Sequence, residues 1–175
     1  MSFTTDWFSN AAPHIAQSFL RTQHVENILE IGSWEGRSTC WFLDACPNAT
    51  ITCVDTFEGS VEHEGINMSD VEKRFRENVQ PYGTRVVVRK GRSDRMLFGL
   101  DPESFDVIYV DGSHEHHDAL SDLVFAYHLL RPGGVLLVDD YAGFPGVRAA
   151  VDAFVQAFKG LEPIHVGYQV HFVKK

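Results

Sequence analysis

The sequence has 175 residues, 44% of them hydrophobic, which suits one domain with a continuous core. Its 24 acidic side chains outnumber 15 basic ones for a formal net charge of -9, a balance that repels phosphate backbones and anionic lipid heads and argues against nucleic-acid or membrane partners. No segment approaches the roughly 20 apolar residues needed to span a bilayer. Met1 to Arg21 has no export signal, and Cys40, Cys46 and Cys53 form an odd set in apolar surroundings, so reduced thiols and a cytoplasmic location are expected.

In chain order, Phe8, Ile15, Phe19 and Leu20 recur near helical spacing between Thr4 and Thr22, predicting a helical lead-in over residues 1–24, with Pro13 starting or kinking a turn. VENILEIG reads as a buried strand, GSWEG as a turn and STCWFLDAC as a helix. ATITCVD is a second strand, SDVEKRFRENV an amphipathic helix capped by Ser69, and TRVVVRKG a third strand. A short helix over Ser93 to Leu100 precedes the strand FDVIYVDG; a long helix from Glu115 to Leu130 is stopped by RPGG, and GVLLVDD is the fifth strand. Val147 to Phe158 is helical, and EPIHVGYQVHFVKK folds into two extended runs turning near Gly167. Strands alternating with helices require right-handed crossovers on both faces of a parallel sheet. The expected architecture is therefore a single α/β domain over 1–175, Rossmann-like and doubly wound, with a mostly parallel seven-stranded sheet and a C-terminal antiparallel strand pair.

Ligands of such folds sit outside the carboxyl ends of the strands. The first turn there, EIGSWEGRS, has Gly32 and Gly36 to bend the backbone close to a ligand, ahead of a helix start whose free amides favour a carboxylate or phosphate. Its spacing is GxxxG and not the GxGxxG of dinucleotide enzymes, which disfavours a nicotinamide-dependent oxidoreductase. Asp55, ending the second strand, is placed to accept both hydroxyls of a ribose; its alternative role is a turn cap.

Taken together, EIGSWEGRST, VDTFEG, GRSDRM, VDGSH and RPGGVLLVDD resemble the successive motifs of class I S-adenosylmethionine-dependent methyltransferases, and their order is similar to the metal-dependent O-methyltransferases of the catechol and macrolide-sugar (macrocin) types. The resemblance implies S-adenosylmethionine as cofactor, with Glu30, Gly32, Ser33, Gly36 and Ser38 around its methionine part, Asp55 and Thr56 at the ribose, Gly91, Ser93 and Asp94 near adenine, and Asp111 also in the cofactor site.

Asp111 ends the fourth strand and Asp139 and Asp140 the fifth, so the three carboxylates share a sheet edge if those strands are neighbours. Such a cluster suits Mg2+ or another hard divalent ion, provided the chain bends at Asp139 and Asp140, whose side chains would otherwise point to opposite faces. The resemblance implies the same metal ligands. Methyl transfer to oxygen also needs the acceptor proton removed, and His114, one short turn after Asp111, is the candidate base beside Asp111. In the catechol type a lysine stands at that spacing; the histidine matches the macrolide-sugar type. His116 and His117 fan away from His114 on a helix, so HEHHD is not read as a zinc site.

The expected activity is O-methylation of a small hydroxylated acceptor: a sugar, polyol or phenol. A non-catalytic cofactor-binding protein is the alternative from another class. Acceptor specificity is expected from the lead-in, the loop from Thr56 to Met68 with Glu62, His63 and Glu64, or the loop from Tyr141 to Gly146; a homodimer is one arrangement that would supply a missing wall.

Overall fold

The computed structural model describes residues 1–19, 24–60 and 63–175. Leu20 to Gln23 of the predicted lead-in and Glu62 of the loop after β2 lie outside the described residues. The elements are α1 (Ala12–Phe19), β1 (Asn27–Ile31), α2 (Arg37–Ala45), β2 (Thr50–Asp55), α3 (Met68–Val79), β3 (Val86–Lys90), α4 (Ser93–Met96), β4 (Phe105–Val110), α5 (His116–Leu129), β5 (Leu130–Val138), α6 (Pro145–Ala157), β6 (Leu161–Val166) and β7 (Val170–Lys174). They build one seven-stranded sheet in the order β3-β2-β1-β4-β5-β7-β6. The first five strands pair in parallel, and β7 enters antiparallel between β5 and β6. This is the expected Rossmann-like architecture.

Strand alternation divides the core into two layers. Leu29, Ile31, Ile108, Val110, Leu136 and Val138 face one layer, closed by Leu123 and Ala126 of α5 and Val151 and Phe154 of α6. Ile28, Ile51, Cys53, Val107, Tyr109, Val135 and Leu137 face the other, closed by Ile15 of α1, Phe42 of α2 and Phe75 of α3. The central strands are buried on both sides, as the mostly apolar run of FDVIYV requires; its one charge, Asp106, is buried and meets Arg131 and the backbone N–H groups of Glu26 and Asn27. Pro13 falls in the first turn of α1, where its missing N–H costs no hydrogen bond.

Two local expectations are corrected. Asn67, not Ser69, caps α3: its side chain accepts from the backbone N–H of Ser69. RPGG does more than stop a helix. Strand β5 begins at Leu130, pairs with Phe105, and resumes regular register at Val135 opposite Val107, so RPGG forms an irregular strand opening.

Candidate active site

The turn after β1 is shaped by a close approach between neighbouring strands. Gly32 has φ +86°, and a Cβ there would lie 1.9 Å from the carbonyl oxygen of Asp111, so only glycine lets the two strand ends meet. The turn is then held by Asp55, whose Oδ2 accepts the backbone N–H groups of Ser33 (2.7 Å) and Trp34 (2.9 Å) and whose Oδ1 accepts that of Phe57 (2.7 Å). The structure therefore joins the predicted ribose acid to the predicted cofactor turn across 22 residues. Gly91 is tied to the same strand end through its N–H to Asp55 O at 2.9 Å, and Ser93 and Asp94 follow as the first residues of α4.

Glu30 points into the layer beneath the turn and is fully buried. Its carboxylate accepts the hydroxyl of Ser38 at 2.6 Å, that of Thr39, and the thiol of Cys53 at 3.5 Å. Burial pushes its pKa up, and these donors partly oppose that shift. Glu30 thus fastens β1 to the first turn of α2 through Ser38 and Thr39.

Beyond β4 and β5 the two-residue period places Asp111 and Asp139 on the face of Tyr109 and Leu137. The Tyr109 hydroxyl lies 3.1 Å from Asp111 Oδ2 and also bonds Asp139 Oδ2. Asp140 would alternate to the other face, but the chain bends there: its φ is +61°, the left-handed region that aspartate tolerates better than most residues. The bend turns Asp140 toward His114, with Oδ2 2.8 Å from His114 Nε2, while Oδ1 accepts the Tyr168 hydroxyl at 2.7 Å. The imidazole of His114 stacks on Phe144 with ring centroids 3.7 Å apart. Burial first, then the charges of Asp139 and Asp140, raise the pKa of Asp111 well above the usual carboxylate range. Asp139 is raised as well, mainly by burial. A small cleft is lined by Asp111, Gly112, Ser113, His114, Asp139 and Asp140.

The oxygen donors suit a hard cation chemically. Their arrangement does not fit one: among the described residues no three His, Cys, Asp or Glu side chains are grouped to hold a metal ion. Asp140 is committed to His114 and Tyr168, and Asp139 Oδ2 already receives Tyr109 and Gln169. No step below passes through a metal. His116 and His117 are exposed, as their spacing predicts.

Several residues here have no counterpart in the sequence motifs: Tyr109, Phe144, Tyr168 and Gln169. Only Tyr109 carries a signal, because a tyrosine inside a strand buried on both faces must find a partner for its hydroxyl.

A glycine turn under the first crossover, an acid closing β2 over it and a cluster of titrating side chains beyond β4 and β5 define the class of Rossmann-like cofactor-binding domains. Comparison with known proteins narrows this: the methyltransferase domain family matches residues 29–141, and the chain belongs to it. A protein of Mycobacterium sp. (strain JLS), provisionally named an O-methyltransferase, is 31% identical over 143 residues, covering 79% of this chain and 60% of the relative. One from Mycobacterium avium (strain 104), named the same way, is 32% identical over 136 residues, covering 75% and 56%. The chain thus spans roughly three-fifths of these relatives' length. Among solved structures, an O-methyltransferase from Bacillus cereus in complex with SAH has 22% identity and TM-score 0.70, with 98% of this chain and 84% of that one covered. TomG of Streptomyces achromogenes, an O-methyltransferase involved in tomaymycin synthesis and solved with SAM, has 19% identity, TM-score 0.69 and coverage of 95% and 81%. Both share the fold.

Proposed function

We propose that this chain transfers a methyl group from S-adenosylmethionine to a hydroxyl of a small hydroxylated molecule, a sugar, polyol or phenol. The observation that carries the reading is the 2.8 Å pair between His114 Nε2 and Asp140 Oδ2, set beside Asp111 at the carboxyl edge of the sheet. Family membership and the SAM and SAH held by structural neighbours support the choice of cofactor.

In this reading Gly32, Ser33, Gly36 and Ser38 receive the methionine end of the cofactor, with Glu30 fixing Ser38 from below. Asp55 and Thr56 face the ribose, and Gly91, Ser93 and Asp94 the adenine. Asp111 stands beside the sulfonium, whose positive charge favours the ionised form of the Asp111 carboxyl group. As the acceptor oxygen bonds to the methyl carbon, the carbon–sulfur bond breaks and leaves neutral S-adenosylhomocysteine. His114 takes the acceptor proton, and Asp140 balances the imidazolium that forms. Phe144 and Tyr168 restrict the ring and the acid to this geometry. The free cysteines, two of them buried, accord with a reducing cytoplasm.

Calorimetry with S-adenosylmethionine tests the cofactor half: saturable binding is expected, and none would overturn the reading. Formation of S-adenosylhomocysteine across a panel of sugars, polyols and phenols tests turnover, and His114→Ala is expected to lower it by about 10²- to 10⁴-fold. A normal rate in that variant removes His114 as base. The implied metal set, Asp111, Asp139 and Asp140, is read separately by titrating MgCl2 into the cofactor complex. Heat of binding would mean that Asp140 leaves His114 and Tyr168.

A further inference from the structure

The turn between β6 and β7 lies beyond the segment matched by the family, yet it supplies two consecutive side chains to the acid pair. Tyr168 bonds Asp140 from the exposed side, and Gln169 donates its amide N–H to Asp139 Oδ2 at 2.7 Å from the buried side. The backbone is tied as well, Ala142 N–H donating to Tyr168 O at 3.0 Å. A Cβ on Gly143 would stand 2.5 Å from the Tyr168 hydroxyl oxygen, so glycine there lets the phenol cross the loop to reach Asp140.

Behind Gln169 a polar chain runs along the face of the sheet that α1 covers. Gln169 Oε1 is 3.1 Å from His171 Nε2, and His171 Nδ1 is 2.7 Å from the Ser18 hydroxyl on α1. Gln169, His171 and Ser18 are 2%, 0% and 4% exposed, so none of these bonds is shared with bulk water. The orientation of the Gln169 amide sets the direction of the links behind it. Gln169 turns its NH2 toward Asp139, whose carboxylate oxygen accepts, and its carbonyl toward His171. That carbonyl needs a donor, which is His171 Nε2–H. Burial lowers the His171 pKa to about 3, leaving a neutral ring whose Nδ1 accepts from the Ser18 hydroxyl at 2.7 Å, a closer partner for that proton than the His14 carbonyl oxygen at 3.2 Å. Reversing one link would strand a buried polar atom.

We propose that Gln169, oriented by His171 and Ser18, is a positioning residue that holds Asp139 in the active site. The chain orients and does not conduct, because an amide passes no proton without becoming an imidic acid. The inference rests on the proposed function only in taking Asp139 to lie in the active site; the ordering itself is measurable without cofactor or acceptor.

Histidine-ring nitrogen NMR on the full chain should show His171 neutral, with the proton on Nε2, from about pH 5 to about pH 8. In Gln169→Met that preference should collapse into a mixture, and a crystal structure of the variant should show the Asp139 carboxylate rotated off the Tyr109 hydroxyl. Gln169→Leu also removes the amide and carries the test if Gln169→Met fails to fold; it too should release Asp139. Ser18→Thr keeps the hydroxyl and should retain the wild-type tautomer. A cationic or Nδ1-protonated His171 in the wild type, or an unmoved Asp139 in the folded variants, overturns the proposal. S-adenosylmethionine calorimetry on the same samples separates the two readings: no binding by wild type sinks the methyltransferase, while the tautomer and the Asp139 position still decide the ordering.

Discussion

Asp122 on α5 is 2% exposed, and its Oδ1 finds no hydrogen-bond partner among the described residues. Burial dominates its ionisation and pushes the pKa up to about 7; the nearby Ser93 hydroxyl and Arg92 pull it down, and Asp118 and Asp94 push it further up. The folded value is raised above that of the unfolded chain, so the folded protein holds the proton more tightly and stability falls as pH rises from about 4 to about 7. Beyond that window the full penalty applies, on the order of 4 kcal/mol against an unfolded aspartate near 3.9. Asp122→Asn removes the ionisation and should raise the urea midpoint at pH 8 by much more than at pH 5; equal gains at both would contradict the assignment. Single residues are also where the sequence is least informative. Asp55, His114 and the acids were legible because they end strands or follow turns. Gln169 reaches an acid 30 residues away and Ser18 a histidine 153 residues away, contacts that only the folded sheet creates.

The junction of β1, β4 and the turn between β1 and α2 carries the geometry of the site. Gly32 N–H donates to Val54 O and Asp111 N–H to Ile31 O, both within 3 Å, so three strand ends converge on one short turn. Gly32→Ala places a methyl on the Asp111 carbonyl and forces a side chain into positive φ at once. The backbones must separate, and since no flexible side chain can yield, a loss of more than about 3 kcal/mol is expected in denaturant unfolding. A variant within about 0.5 kcal/mol of wild type would mean that the junction is looser than described. The helices and strands themselves were readable from periodicity because the central strands are mostly apolar, Glu30 and Asp106 being the buried exceptions, and the helices have one apolar side. The bend at Asp140 was not: nothing in DDYAG distinguishes a residue that continues the strand from one in the left-handed region. That bend decides whether Asp140 joins the acids or pairs with His114, and here it pairs.

At the scale of the whole molecule, the alternation of strands and helices was enough to predict the doubly wound sheet, because right-handed crossovers leave few ways to order five parallel strands. The insertion of β7 between β5 and β6 follows from a short turn that sends the last strand back along the sheet, and it is this insertion that brings Tyr168 and Gln169 to the acids. The proposed cofactor face draws on separate strand ends: the turn after β1, Asp55 of β2, the start of α4 and Asp111 beyond β4. A ligand touching all of them binds only the folded chain, so its binding energy adds to global stability by mass action. At a concentration about 100-fold above the dissociation constant the gain is about 2.7 kcal/mol. For a domain of this size that corresponds to a rise of several degrees in melting temperature. S-adenosylmethionine and S-adenosylhomocysteine should therefore both raise the melting temperature in a dose-dependent way. NAD+ should leave it unchanged, since the GxxxG turn has no second glycine where a pyrophosphate would need the backbone to approach. Stabilisation by NAD+ and not by S-adenosylmethionine would reverse the choice of cofactor while leaving the fold intact.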